Sequence, residues 1–344
     1  MDASGTIADV LQRLAARPRL AILALLALCL AVYLPGVVRL PAVDRTEVVY
    51  AETTRDMLAR GQLADPRYGE TVHQFRPIGT YWAQAKVAWL AGPDQARNIS
   101  IYRLPGMLSV MLAVLALYWL ATPLIGSTAA LVASGLFAVA PLTVLVAHLA
   151  IGEGLSLLPA TVAMLALLRI YAAPREDNTR VLAWLFWVAL GLGMVINAAL
   201  VPILVIVTLI ALSCMDRDVW WMQRLAIGSG LPLALLIASP WLIVRVMQDG
   251  VPFSSLSFSE FLAALGGSQD MKLRAMPGTF VLALLLGFLP GTALLAPAAL
   301  KLWGQKGDTT TQAKIARFLL AWVIGYVVYL ELLSSKPGTY MVQP

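Results

Sequence analysis

Long apolar runs alternate along this chain with short polar stretches, and the run lengths predict its elements. Apolar stretches of membrane length lie at about 20–38, 102–121, 124–141, 155–171, 181–196, 199–213, 225–247, 279–300 and 318–334. Each comes near the roughly 20 residues that an α-helix needs to cross a hydrocarbon core about 30 Å thick. The runs at 181–196 and 199–213 form almost one continuous segment, punctuated only by Asn197 and Pro202. Two longer stretches interrupt the pattern, 39–103 and about 248–278. In the first, residues 44–60 pair charges at helical spacing, Glu52 with Arg55 and Asp56 with Arg60. Gly61 is placed to end that helix. A polar turn region, 61-GQLADPRYGE-70, comes next, then an amphipathic piece, 77-PIGTYWAQAKVAWLAG-92. Its Tyr81, Trp82 and Trp89 suit the lipid headgroup level. The expectation is an all-α polytopic membrane protein. It has about nine transmembrane helices in a single domain, 1–344, with two interfacial helices in the loop 39–103.

Composition sharpens this. The chain is 60% hydrophobic and 13% charged, with a mean hydropathy of +0.79, which excludes an ordinary soluble globular domain. The net charge of +6 favours anionic lipid or phosphate and does not by itself indicate nucleic acid. Arg13, Arg17 and Arg19 precede the first run, and no small-x-small cleavage site follows it, so it reads as a retained signal anchor. Cys29 and Cys214 lie in or beside predicted spans, and no disulfide is expected. The short loops on one side carry Arg169, Arg175, Arg180, Arg217, Arg224, Lys301, Lys306, Lys314 and Arg317. The positive-inside rule puts that side and the N-terminus in the cytoplasm, and the loop 39–103 outside.

The outside loop therefore holds the candidate chemistry. Residues 42–61 contain seven charged side chains: Asp44, Arg45, Glu47, Glu52, Arg55, Asp56 and Arg60. Asp44 follows the first span closely, and Glu47 falls on the same helix side at i+3. Such a pair suits general-base work, metal binding or plain solvation of a surface helix. His73 and His148 are the only histidines, so no His-rich metal site can be built, although carboxylates can still hold a hard divalent cation. Gly191 and Gly193 sit inside an apolar run, where small residues serve helix packing. Neither histidine has a nucleophile at useful spacing.

Four ordered motifs carry a resemblance: 44-DRTEVVYAETTRDMLARG-61, 75-FRPIGTYW-82, 103-RLP-105 and 334-SSKPGTY-340. Together they resemble the bacterial aminoarabinose lipid A transferases and protein mannosyltransferases, membrane glycosyltransferases of the C-type fold. That family uses polyprenyl-phosphate-linked sugars. The resemblance implies Asp44 as the catalytic base, with Glu47 beside it. Arg76 stands where a lysine is usual and would hold the lipid phosphate with Lys336 and Tyr340, and Tyr81 belongs to the same binding set. Arg103 is either a substrate contact or an anchor at the interface. Glu153, in 148-HLAIGEGLS-156, is either a second acid of the site or an acid favoured by a helix N-terminus.

Implied partners are a polyprenyl-phosphate sugar donor, a lipid, glycan or protein acceptor, and membrane lipids, in a bacterial inner membrane. Phe75 departs from the family where a metal-binding Glu can stand, and no metal ligand set is expected. Residues 253–267 lack an expected His and Arg, 196-INAAL-200 replaces a Lys-Gly-Pro, and this sequence stops where the family usually continues with further spans. The rival readings are a non-catalytic polyprenyl-phosphate-binding relative or accessory subunit and, third, a transporter.

Overall fold

The computed structural model describes residues 3–63, 66–68, 71–72, 77–216, 219–249, 278–295, 297, 300 and 310–332. Among the described residues the fold is all-α apart from one hairpin of two-residue strands, Arg67–Tyr68 (β1) with Thr71–Val72 (β2). The helices are α1 (Ala3–Ala15), α2 (Pro18–Arg39), α3 (Arg45–Arg60), α4 (Gly79–Ala91), α5 (Ile99–Ile125), α6 (Ser127–Val139) and α7 (Pro141–Ala147). They continue with α8 (Gly152–Ala172), α9 (Arg180–Ile196), α10 (Leu200–Met215), α11 (Ile227–Asp249), α12 (Thr279–Gly287) and α13 (Thr311–Leu332).

Among the described residues, four helices (α2, α5, α8 and α13) are long and apolar enough to cross a membrane. The pair α6 and α7 makes a fifth if counted as one span bent by 61°. The expectation was about nine spans; three further apolar helices among the described residues, Arg180–Ile196, Leu200–Met215 and Ile227–Pro240, are shorter. The run at 124–141 does not end at Pro141; it bends there, because proline removes a backbone donor and disfavours α geometry in the residue before it. A break inside a bilayer leaves carbonyls without partners, and the Tyr33 hydroxyl donates to one of them, Ala138 O, at 2.7 Å. The runs at 181–196 and 199–213 are two separate helices, α9 and α10, of 17 and 16 residues. The expected span 279–300 is interrupted after α12 by a short 3-10 turn at Gly291–Leu294.

Two apolar cores share the bundle. One lies among α1, α2, α5 and α6, and the other among α8, α9, α10, α11 and α13. The α5–α8 contact joins them. In α8, 67% of the most apolar window is buried against 28% in α2, so α8 is the central helix and α2 a peripheral one. Central position explains the small residues Ala163, Ala166 and Ala172 on α8, which let neighbours approach. Both cysteines are free, as expected.

The antiparallel course of the helices sorts the loops into two ends. The C-terminus of α2, the helices α3 and α4, the start of α5 and the start of α8 share one end. The other gathers the ends of α8 and α10, the turn Trp220–Leu225 and the start of α13. There Asp216 accepts from Tyr171 and from Arg317, and Arg224 donates to Ala173 O and Asp177 O.

Candidate active site

Helix α3 begins because Asp44 caps it: Oδ1 accepts from the Thr46 N–H at 2.8 Å. It ends at Gly61, whose φ of +67° is the left-handed geometry expected of a C-terminal glycine. The surface pairs read from spacing are present, Glu52 with Arg55 at 2.6 Å and Asp56 with Arg60 at 2.8 Å. Asp44 and Glu47 have the spacing of a capping box, in which the second acid would fold back to the first residue of the helix. Glu47 does not do this. It turns inward to Arg103 of α5.

The Glu47–Arg103 pair is fully buried, with both side chains at 0% exposure. Arg103 Nε donates to Glu47 Oε1 at 2.6 Å, and Nη2 donates to Oε2 at 3.0 Å and to Pro41 O at 2.9 Å. Nη1 donates to Leu40 O at 2.6 Å and Val37 O at 3.3 Å. A guanidinium has five N–H donors, and all five are used. The carbonyls of residues 37 and 40 belong to the C-terminal end of α2, where helix acceptors lack intrahelical donors and a cation is favoured. Glu47 Oε1 also accepts from the Ala150 N–H at 3.0 Å. The pair thus ties α2, α3, α5 and the connection before α8 into one unit. Both side chains face the interior, and Arg103 sits as a buried anchor of this unit.

The expected place of Tyr81 is corrected. It lies on the buried face of α4 at 0% exposure, its ring 5.2 Å from that of Tyr50, instead of at the headgroup level. Trp82 donates from Nε1 to Leu63 O at 2.8 Å. Only Trp89, beneath Lys86, is strongly exposed as expected. Glu153 sits half-buried in the first turn of α8. A Cβ at the adjacent Gly152 would come within 2.9 Å of Thr80 Oγ1 and 3.6 Å of the Tyr50 hydroxyl. A side chain there would have to displace Thr80, so α8 starts directly against α3 and α4. Arg76, Lys336 and Tyr340 lie outside the described residues. Among the described residues no group of three or more His, Cys, Asp or Glu is placed to hold a metal ion.

One set of residues was not singled out in the sequence. Gln84 of α4 is buried; its Nε2 donates to Ala150 O at 3.0 Å, and its Oε1 accepts from Thr54 at 2.8 Å. The available signal was a glutamine in the small-residue stripe Gly79, Thr80, Ala85 and Ala88, since a polar group on a buried face needs partners. His148 Nε2 lies 2.9 Å from Tyr33 O, anchoring the same connection to α2.

A family model described as "Dolichyl-phosphate-mannose-protein mannosyltransferase" matches residues 76–244. The chain resembles these membrane glycosyltransferases. Similar proteins include the undecaprenyl phosphate-alpha-4-amino-4-deoxy-L-arabinose arabinosyl transferase of Erwinia tasmaniensis, 26% identical over 302 residues, covering 86% of this chain and 52% of that protein. The corresponding transferase of Pectobacterium atrosepticum is 24% identical, with the same coverage. The chain spans about half the length of these relatives. The fold matches the crystal structure of ArnT from Cupriavidus metallidurans bound to undecaprenyl phosphate, with a TM-score of 0.74 and 20% identity, over 92% of this chain and 56% of that one. The apo structure of the same protein gives 0.72. The chain is thus a multi-pass membrane protein that shares the fold of that ArnT structure over the matched portion.

Proposed function

We propose that this chain takes part in transfer of a sugar from a polyprenyl-phosphate-linked donor to an acceptor hydroxyl at the outer face of a bacterial inner membrane. The observation that carries the reading is the Glu47–Arg103–Ala150 clamp. Asp44 lies three residues before Glu47, and Glu153 three residues after Ala150. Both candidate acids therefore lie three residues from this junction, in the chain segments it joins, at the end of the bundle that bears α3 and α4. The opposite end carries Arg169, Arg175, Arg180, Arg224, Lys314 and Arg317, which supports a cytoplasmic assignment for it and an outer one for the site.

In the reaction, the acceptor hydroxyl gives its proton to the Asp44 carboxylate. The oxygen forms a bond to the anomeric carbon as the bond from that carbon to the phosphate oxygen breaks. Polyprenyl phosphate leaves with the electron pair, and the anomeric centre inverts. Arg76, Lys336 and Tyr340 are assigned to the leaving phosphate by resemblance, where cations stabilise developing charge. Glu153 orients the acceptor. A divalent cation is not needed for any of these steps. The named relatives act on an undecaprenyl-linked aminoarabinose, which makes that donor the first to test.

A second reading, a non-catalytic binding relative, draws on the N-cap: Asp44 Oδ1 already holds Thr46, as a purely structural acid would. Asp44→Asn separates the two, because asparagine still caps the helix but takes up no proton. Turnover in reconstituted membranes should fall by about 10²–10⁴ for loss of a general base, with donor-lipid binding little changed. Full transfer by the Asn variant would show that Asp44 is a cap and nothing more.

A further inference from the structure

The connection 148–151, between the bent pair α6–α7 and the central helix α8, is held in an unusual way. Ala150 is held through both of its flanking peptide groups by side chains from different helices. The Ala150 N–H donates to Glu47 of α3, and the Ala150 carbonyl accepts from Gln84 of α4. Gln84 is 2% exposed, so its amide has no water to fall back on. The orientation of that amide is dictated by its partner: a carbonyl only accepts, so Nε2 must face Ala150, which leaves Oε1 toward Thr54. The Thr54 hydroxyl is within 2.8 Å of both Gln84 Oε1 and Tyr50 O. A hydroxyl has one proton; shared between these acceptors, it locks Gln84 to the backbone of α3.

We propose that Gln84 is a positioning residue for the candidate site. It sets the start of α8, and with it Glu153, against the Asp44-bearing helix. The inference rests on the proposed function for its catalytic consequence, but the grip itself does not. Glu47 alone would hold only the 149–150 peptide, through the Ala150 N–H. Gln84 holds the following 150–151 peptide through the Ala150 carbonyl, so the two bonds together fix the backbone on both sides of Ala150. Glutamate could not do so as a carboxylate, since it has no proton for the carbonyl. Methionine matches the length of glutamine and offers neither bond.

The test uses the full chain in lipid nanodiscs and two readouts. The first is amide hydrogen exchange of the peptide covering 148–154. Gln84→Met should speed it about tenfold, the change expected when one buried hydrogen bond no longer resists local opening. Thr54→Val should speed it less, and Thr54→Ser, which keeps the hydroxyl, should exchange as slowly as the unaltered chain. The second readout is sugar transfer from an undecaprenyl-phosphate aminoarabinose donor. Gln84→Met should lower kcat several-fold with KM for the donor nearly constant, because Gln84 is assigned no contact with lipid phosphate. A melting curve shows whether each variant is folded.

Unchanged exchange in a folded Gln84→Met chain overturns the proposal, whatever the activity. Faster exchange with unchanged kcat overturns the positioning role as well. An unaltered chain that transfers no sugar sinks the proposed function instead. In that case exchange in Gln84→Met still decides whether the grip on Ala150 exists.

Discussion

Each end of the bundle is tied by one carboxylate–arginine pair that bridges distant parts of the sequence, and the two pairs are built differently. Glu47–Arg103 has both side chains at 0% exposure, two hydrogen bonds between them, and every remaining guanidinium proton on a backbone carbonyl. Asp216–Arg317, at the opposite end, is 14% and 18% exposed, is joined through a single N–H at 2.5 Å, and shares its carboxylate with the Tyr171 hydroxyl. Burying two charges is costly unless geometry and extra hydrogen bonds offset the lost hydration. The first pair meets that condition only because α2 ends beside it, where Val37, Leu40 and Pro41, at and just past that end, offer three carbonyls. The second keeps some water, so each charge depends less on the other. A pair that cannot be separated cheaply is suited to hold a reaction geometry, whereas one that stays wet is suited to pin helix ends together.

The largest effect should come from Arg103→Met. It strands a buried carboxylate and removes the donors from Val37, Leu40 and Pro41. Loss of about 3–5 kcal/mol is expected for breaking a buried pair, read as a large fall in the unfolding temperature in detergent. Glu47→Gln should cost less than Arg103→Met, since an amide still accepts from Arg103 and Ala150. If the two variants melt alike, the carbonyl contacts of Arg103 contribute little and the clamp is a simple ion pair.

Asp216→Asn comes next. With a partly hydrated partner left behind, a loss of about 1–2 kcal/mol is expected, near the lower end for hydrogen bonds to charged groups. It should leave transfer kinetics untouched where Glu47→Gln lowers kcat. A loss as large as that of Arg103→Met would erase the contrast between the two ends.

The smallest effect belongs to Glu52→Gln on the exposed face of α3. Glu52 and Arg55 are 41% and 46% exposed, and such pairs contribute about 0.3–0.5 kcal/mol or less. Added salt should shrink even this difference while leaving the penalty of Arg103→Met in place, because screening acts on hydrated charges. Salt sensitivity in Arg103→Met equal to that in Glu52→Gln would mean water reaches the clamp.

Much of the site was legible as position and little of it as role. Asp44 and Gly61 were read correctly as the limits of a helix, because caps depend on residues within a few positions. Glu52–Arg55 and Asp56–Arg60 were legible for the same reason. Glu47 and Arg103 were noticed through family motifs, but their burial was not. Nothing in the spacing 44-DRTE-47 says that the second acid abandons its capping-box position for a guanidinium 56 residues away. Tyr81 was misplaced because an aromatic on a short amphipathic helix fits a headgroup or a core equally well, and only the packing of α4 on α3 chooses. Gln84 passed unremarked because its partner is a backbone carbonyl, which has no sequence signature.

By itself the sequence determined that this chain is a bundle of apolar helices, where their polar loops fall, and which loop carries the charges. Those properties follow from run length and composition, since a membrane admits few ways to satisfy a backbone. Tertiary structure alone decided that one run bends at Pro141 and that the expected 279–300 span is interrupted. It also decided that Glu47, Gln84 and Arg103 converge on the Ala150 connection and the end of α2. Hydrogen bonds between distant segments depend on which helices become neighbours and at what height. The local pattern of any one helix does not contain that information.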